Sequence, residues 1–206
     1  MHNDCYVVQT ERVTGSDAYR RRREDVAAAV WRVLDQSGFA GLSMRAVARE
    51  LDATTGIVTH YFPSKRELTS FALELLAERS GARERPATTR GPADLRSALL
   101  DMLPLDDVSQ TSNRIWISSW DAALADERHA AEHAERYRAS RAKVAGLVAD
   151  FLPEREGQRD DERVHRVTET LHSFVLGLTV QAVLDPAAYP PERQIALLDG
   201  ILRDLG

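Results

Sequence analysis

SMRAVARELDATTGIVTHYFPSKREL, residues 43–68, decides the fold of this chain. Met44, Val47 and Leu51 repeat at helical spacing behind Ser43, whose hydroxyl is placed to cap a short helix. Asp52-Ala53-Thr54 forms a tight turn. Thr54 is placed to cap the next helix, about residues 55–61, with Val58 and Phe62 inward at i and i+4. Pro63 and Ser64 punctuate. Ser64 and Glu67 make an S-x-x-E capping box, so a third helix starts near Lys65 and runs to about Arg83, burying Leu68, Phe71 and Leu75. Two short helices, a tight turn and a third helix with a clear start form a helix-turn-helix with its connecting element.

The surroundings are helical throughout. Upstream, Val26, Val30, Val33 and Leu34 define a helix over about 18–37, with Trp31 on its flank and Gly38 as its stop. Residues 1–17 show no periodicity and read as a tail. Downstream, ERPATTRGP at 84–92 is a loop. Five further helices follow, at about 93–103, 109–125, 127–151, 160–185 and 191–205, bounded by Pro104, Pro153, Pro186 and Tyr189-Pro190-Pro191. No strand-like alternation, repeat or low-complexity tract occurs. The expectation is an all-α chain of about nine helices: a three-helix head (18–64), a connecting helix (65–83) and a helical body (84–206).

Composition bounds the function. The 206 residues carry a net charge of −5. Residues 1–70 hold ten Lys/Arg against nine Asp/Glu; the remainder hold seventeen against twenty-three. That argues against a general nucleic-acid coat but leaves room for a small basic docking face. No apolar run reads as a bilayer span, the N-terminus lacks a secretion signal, and the single Cys5 cannot form an internal disulfide. These features predict a cytoplasmic protein without a membrane partner.

A helix that reads base edges in the major groove must be short, exposed on one face and held from behind. Residues 55–61 meet those requirements. With Val58 and Phe62 inward, Thr55, Gly56, Thr59, His60 and Tyr61 remain outward. Gly56 lets the backbone approach DNA, Thr59 and His60 can meet bases, and the Tyr61 hydroxyl suits a phosphate. Lys65, at a helix N-terminus, is placed for a phosphate; Ser43, Arg45 and Thr54 flank it. The arginine run 20–23 serves either as a basic arm or as a solvated helix entry. Taken singly, Ser43 and Thr54 are also ordinary caps, and Arg45 an ordinary solvated charge.

These residues resemble the DNA-binding head of the TetR family. The resemblance covers about Arg22 to Leu76, through Leu42-Ser43-Met44-Arg45-Ala46-Val47-Ala48, Gly56-Ile57-Val58-Thr59-His60-Tyr61-Phe62 and Pro63-Ser64-Lys65-Arg66-Glu67-Leu68. It implies that Thr59, His60 and Tyr61 face DNA and that Lys65 binds phosphate. Two positions depart: Asp52 stands where the family has glycine, and Thr59 where it often has an aromatic. Asp tolerates the left-handed conformation that such a turn needs. In the body, Arg114-Ile115-Trp116, Trp120, Leu184-Asp185-Pro186 and Tyr189-Pro190-Pro191-Glu192-Arg193 resemble the BetI-type branch. The resemblance implies a dimeric regulator, most members being repressors released by a small molecule.

In the body, residues 174–184 are apolar nearly all round, and so are Ile195, Leu198 and Leu202 with their neighbours. Either both faces pack internally or a second copy covers one. A dimer would place Val167, Leu171, Val175, Val183, Ile195, Leu198 and Leu202 at its interface. An effector pocket would draw on Met102, Asn113, Trp116, Trp120, His172, Phe174 and Leu178, beside Leu103. The tryptophan pair at i, i+4 is otherwise core, or part of a cage for a choline-like cation. One competing class exists: His129-Ala-Ala-Glu132-His133 matches the H-x-x-E-H motif of a zinc hydrolase. The function expected is therefore a non-enzymatic, cofactor-free regulator: a homodimeric repressor that binds a pseudo-palindromic operator and leaves it when a small molecule binds. Activation and zinc hydrolysis are the alternatives.

Overall fold

The computed structural model describes residues 23–81, 92–153 and 160–205. The tail at 1–17 with Cys5, Arg20 to Arg22, and the loop at 84–92 up to residue 91 lie outside the described residues. Among those described, every regular element is a helix. α1 covers residues 23–37. It is followed by α2 (Met44–Glu50), α3 (Thr55–Tyr61), α4 (Lys65–Gly81), α5 (Pro92–Leu100), α6 (Asp107–Ser118), α7 (Trp120–Ala125), α8 (Glu127–Phe151), α9 (Asp161–Leu184) and α10 (Pro191–Leu205). Two compact units result, Met1–Arg79 and Ser80–Gly206, with the division inside α4.

In the first unit, the predicted inner residues of α1 (Val26, Val30, Val33 and Leu34) are buried. So are Val47 of α2, Val58 of α3, and Leu68 and Leu75 of α4. Arg32 ties α1 to the end of α2, its Nε donating to Glu50 Oε2 at 2.9 Å and Nη2 to the Glu50 carbonyl at 3.0 Å. Gly38 ends α1 with φ 60°. Gly41 sits where a Cβ would come within 2.2 Å of Ser37 Cβ, so no side chain fits there. Asp52 has φ 48°. Its N–H donates to the Arg49 carbonyl at 3.2 Å, and the Ala53 N–H to the Ala48 carbonyl at 2.9 Å. That double closure is a Schellman turn, with Asp52 in the left-handed position that glycine usually fills. The Trp31 ring is half-buried and carries the Arg79 guanidinium 4.2 Å from its centroid.

In the second unit α9 packs against α6, α8 and α10, while α5 packs against α8 and α10. Leu95, Leu99 and Leu103 meet Val148, Leu171, Val175, Leu178 and Leu198 in one apolar core. Arg96 on α5 holds Asp199 on α10 through two bonds of 2.6 and 3.1 Å. The helix expected over 109–125 is two helices. It starts earlier, at Asp107, because Asp106 and Ser109 form a reciprocal capping box. It breaks at Ser119, whose hydroxyl donates to the Trp116 carbonyl at 2.6 Å and takes up an acceptor the helix would otherwise use. By length and composition α9 is apolar enough to cross a membrane, which the sequence pattern had not suggested. Its apolar residues Val167, Leu171, Val175 and Leu178 fill the core of this unit.

The residues expected at a dimer interface divide by burial. Val167, Leu171, Val175, Leu198 and Leu202 are all buried within this one chain. Of these, Val167, Leu171 and Val175 lie on α9, which packs against α6, α8 and α10 of its own chain. Val183 and Ile195 stay half-buried. The surface that α9 leaves open carries Ser173, Gly177 and Leu184, flanked by half-buried Leu176 and Val180; on α10 it includes Leu197.

Candidate nucleic-acid interface and effector site

α3 is short, and its register is fixed from behind. Val58 is fully buried and Phe62 nearly so. The Phe62 ring lies 5.0 Å from that of Phe71, which anchors the end of α3 on α4. Thr55, Gly56, Thr59 and His60 are therefore exposed, and Tyr61 is half-buried with its ring edge-on to His60 at 5.6 Å. A Cβ on Gly56 would meet nothing in this chain closer than Thr54 Oγ1 at 3.7 Å. Glycine is not needed there for internal packing, and its bareness matters only to what approaches from outside. Thr59 Oγ1 donates to the Thr55 carbonyl at 2.8 Å. Its one hydroxyl proton is spent, leaving the methyl group and oxygen lone pairs for a base edge.

The flanking residues divide by role. Ser43 caps α2, its Oγ accepting from the Ala46 N–H at 3.2 Å. Thr54 makes no side-chain cap on α3, contrary to the sequence expectation, and is exposed with its hydroxyl available. Arg45 is exposed. Lys65 is exposed at the first residue of α4, next to Ser64, whose Oγ accepts from the Glu67 N–H at 3.2 Å. The unpaired N–H groups and dipole of a 17-residue helix thus reinforce the lysine charge. Of the arginine run, only Arg23 is described, exposed on α1.

In the second unit, Trp116 and Trp120 converge on a residue the sequence reading passed over. Both indole Nε1–H groups donate to the Tyr137 hydroxyl oxygen, at 3.2 and 3.0 Å. His133 stacks on Trp116 with centroids 4.4 Å apart, and His172 stands edge-on to Tyr137 at 6.1 Å. Thus Trp116, Trp120 and His172 belong to one cluster, joined by Tyr137 and His133. The spacing of His129, His133 and Tyr137 at i, i+4, i+8 marks one face of α8 and was the available signal.

The remaining pocket residues go elsewhere. Leu178 and Leu103 are in the core, and Met102 and Phe174 pack on it. Asn113 braces the chain, donating to the Ser109 carbonyl at 3.0 Å. Burial, and then the Arg136 charge, lower the His133 pKa; burial, and then Arg141, lower that of His172. Burial raises the Tyr137 pKa against the opposing pull of its two indole donors. Each shift favours the uncharged form.

The H-x-x-E-H segment lies on α8 with both histidines turned into the fold. His129 and His133 are each 4% exposed and face inward. His129 Nδ1 lies 3.6 Å from Asp126 Oδ1, and His133 Nε2 lies 3.1 Å from Ser119 Oγ. Among the described residues no group of three His, Cys, Asp or Glu side chains is placed to hold a metal. The two histidines of the motif lie on the inner face of α8, where His133 meets the Trp116 ring.

Residues 26–70 match the family model described as bacterial regulatory proteins, tetR family. Residues 92–206 match that of the BetI-type transcriptional repressor, C-terminal. The HTH-type transcriptional regulator PksA of Bacillus subtilis is 29% identical over 183 residues, 85% of each chain. A transcriptional regulator from Rhodococcus sp. superposes with a TM-score of 0.76 at 26% identity, covering 88% of this chain and 94% of that one. A regulator from Saccharomonospora viridis, solved in complex with choline, gives a TM-score of 0.72 at 16% identity over 89% and 96%.

Proposed function

The chain belongs to the TetR family of bacterial transcriptional regulators, with a BetI-type C-terminal domain, and on that premise we propose that it is a homodimeric repressor of a pseudo-palindromic operator, released by a small molecule. The N-terminal domain binds DNA and the C-terminal domain binds the effector, as in its family. The docking assignment rests above all on α3, whose face of Thr55, Gly56, Thr59 and His60 stays exposed while Val58 is fully buried behind it. In this reading Thr59 and His60 meet bases. Thr54, Tyr61, Arg45 and Lys65 hold phosphates, and Ser43 fixes the start of α2. The repressor role is supported by the description of the C-terminal family.

The two-fold contact is assigned to the open side of α9 and α10, through Leu176, Gly177, Val180, Leu184 and Leu197. Small and apolar residues there allow close helix approach, and a two-fold dimer reads half-sites ~34–36 Å apart. The effector is assigned to the cluster around Tyr137, and the protein acts in the cytoplasm, where its operator is. A mobility-shift titration with the DNA upstream of the protein's own gene tests this. Binding at least ~10³-fold tighter than to random DNA is expected, with Thr59→Ala and His60→Ala altering base preference. Equal affinity for random DNA, or a monomer by light scattering at micromolar concentration, would refute the reading.

A further inference from the structure

The hydrogen bonds around Tyr137 leave two polar groups without a partner. The single proton of the Ser119 hydroxyl goes to the Trp116 carbonyl at 2.6 Å. Ser119 Oγ therefore accepts from His133 Nε2 at 3.1 Å, which fixes His133 as the Nε2–H tautomer. Its Nδ1 is then a bare acceptor. That atom is buried without a hydrogen-bond partner, on a side chain whose residue is 4% exposed. The His133 and Tyr137 rings lie 6.2 Å apart, centroid to centroid. The phenol oxygen already accepts two indole N–H groups, so its own proton remains to be donated. The cluster thus offers one unsatisfied acceptor and one donor, between aromatic rings.

The same contacts argue against a cation. Trp116 and Trp120 aim their N–H edges, the positive rims of their rings, at one point instead of enclosing it with their faces. Trp116 is covered by His133 at 4.4 Å, and the Arg136 guanidinium already stands 5.9 Å from its centroid. The carboxylates nearest the two histidines are engaged: Glu132 with Arg128 at 3.2 Å and Glu169 with Arg141 at 3.4 Å.

We propose that the effector of this chain is a neutral alcohol or phenol on an apolar ring, whose hydroxyl donates to His133 Nδ1 and accepts from the Tyr137 O–H, and not a quaternary ammonium ion. The proposal rests on the reading of the second unit as the effector domain. One hydroxyl supplies both missing partners, and a buried group left unpaired is what penalises a ligand lacking it.

Calorimetric titration of the full chain with 2-naphthol, 2-methoxynaphthalene and choline tests it without any variant. 2-Naphthol is expected to bind about tenfold tighter than its methyl ether, which cannot donate to His133, and choline not to bind at millimolar concentration. Tyr137→Phe should weaken 2-naphthol about tenfold, and His133→Phe should erase the difference between naphthol and ether, each variant being checked for a native melt. Choline binding tighter than 2-naphthol, equal binding of naphthol and ether, or no naphthol binding would overturn the proposal. Operator binding by the unliganded protein is measured separately. If it holds while naphthol fails, this inference alone falls; if it fails while naphthol binds, the regulator reading falls.

Discussion

Replacing Lys65 with alanine removes one cation per protomer from the N-terminus of α4. Lys65 is exposed, and no backbone cap depends on its side chain, since Ser64 supplies the cap. Stability should therefore move by no more than about 0.5 kcal/mol. Each phosphate that a protein neutralises adds about 0.9 to the slope of log affinity against log salt, so two copies of Lys65 in a dimer account for about 1.8. The variant should bind about 60-fold more weakly than wild type at about 0.1 M salt. Between about 50 and 200 mM the gap should narrow about 12-fold, because a fourfold rise in salt acts on a slope smaller by about 1.8. Fluorescence anisotropy of a labelled operator duplex across a KCl series measures both numbers. Random duplex should show the same loss, because a phosphate contact carries no sequence information. Parallel salt plots for the two proteins would show that Lys65 does not neutralise phosphate and that the placement of α4 on DNA is wrong.

Gly41→Ala forces a Cβ to 2.2 Å from Ser37 Cβ, at the end of α1, where backbone has to yield. A loss of about 1–3 kcal/mol in urea unfolding of the first unit is expected, and an unchanged midpoint would contradict the close approach. The second unit should lose stability as pH falls below ~6.5. His133 and His172 have lowered pKa values in the fold, so the unfolded chain takes up their protons first and unfolding is favoured as pH drops through that range. Melting curves from about pH 7.5 to 5.5 check this, and a His133→Gln variant should show a shallower decline.

The head was readable because its signals are local. Ser43, Asp52, Ser64 and the pair Val58 and Phe62 each act within a turn or two, and each lies where spacing placed it, apart from the missing Thr54 cap. The body was readable as helices but not as surfaces. A helix apolar on two sides does not declare which side its own chain covers; for Leu171 and Val175 the answer came from α6, α8 and α10, distant in sequence. Tyr137 was missed for the same reason. Its partners lie 21 and 17 residues away, on helices separated by a break at Ser119 that helical periodicity had smoothed over. His133 was read as part of a motif because five letters match easily, whereas its role follows from the ring it stacks on.

The three tryptophans of this chain happen to label its two units separately. Trp31 belongs to the first, under a guanidinium. Trp116 and Trp120 belong to the second, their N–H groups fastened to a single oxygen. In a proton spectrum the two fastened indoles should resist exchange with deuterated solvent as long as the second unit is folded. Any molecule that claims the Tyr137 oxygen should move both resonances together and leave the third in place. The chain therefore carries its own reporter for telling a ligand that enters the body from one that touches the head.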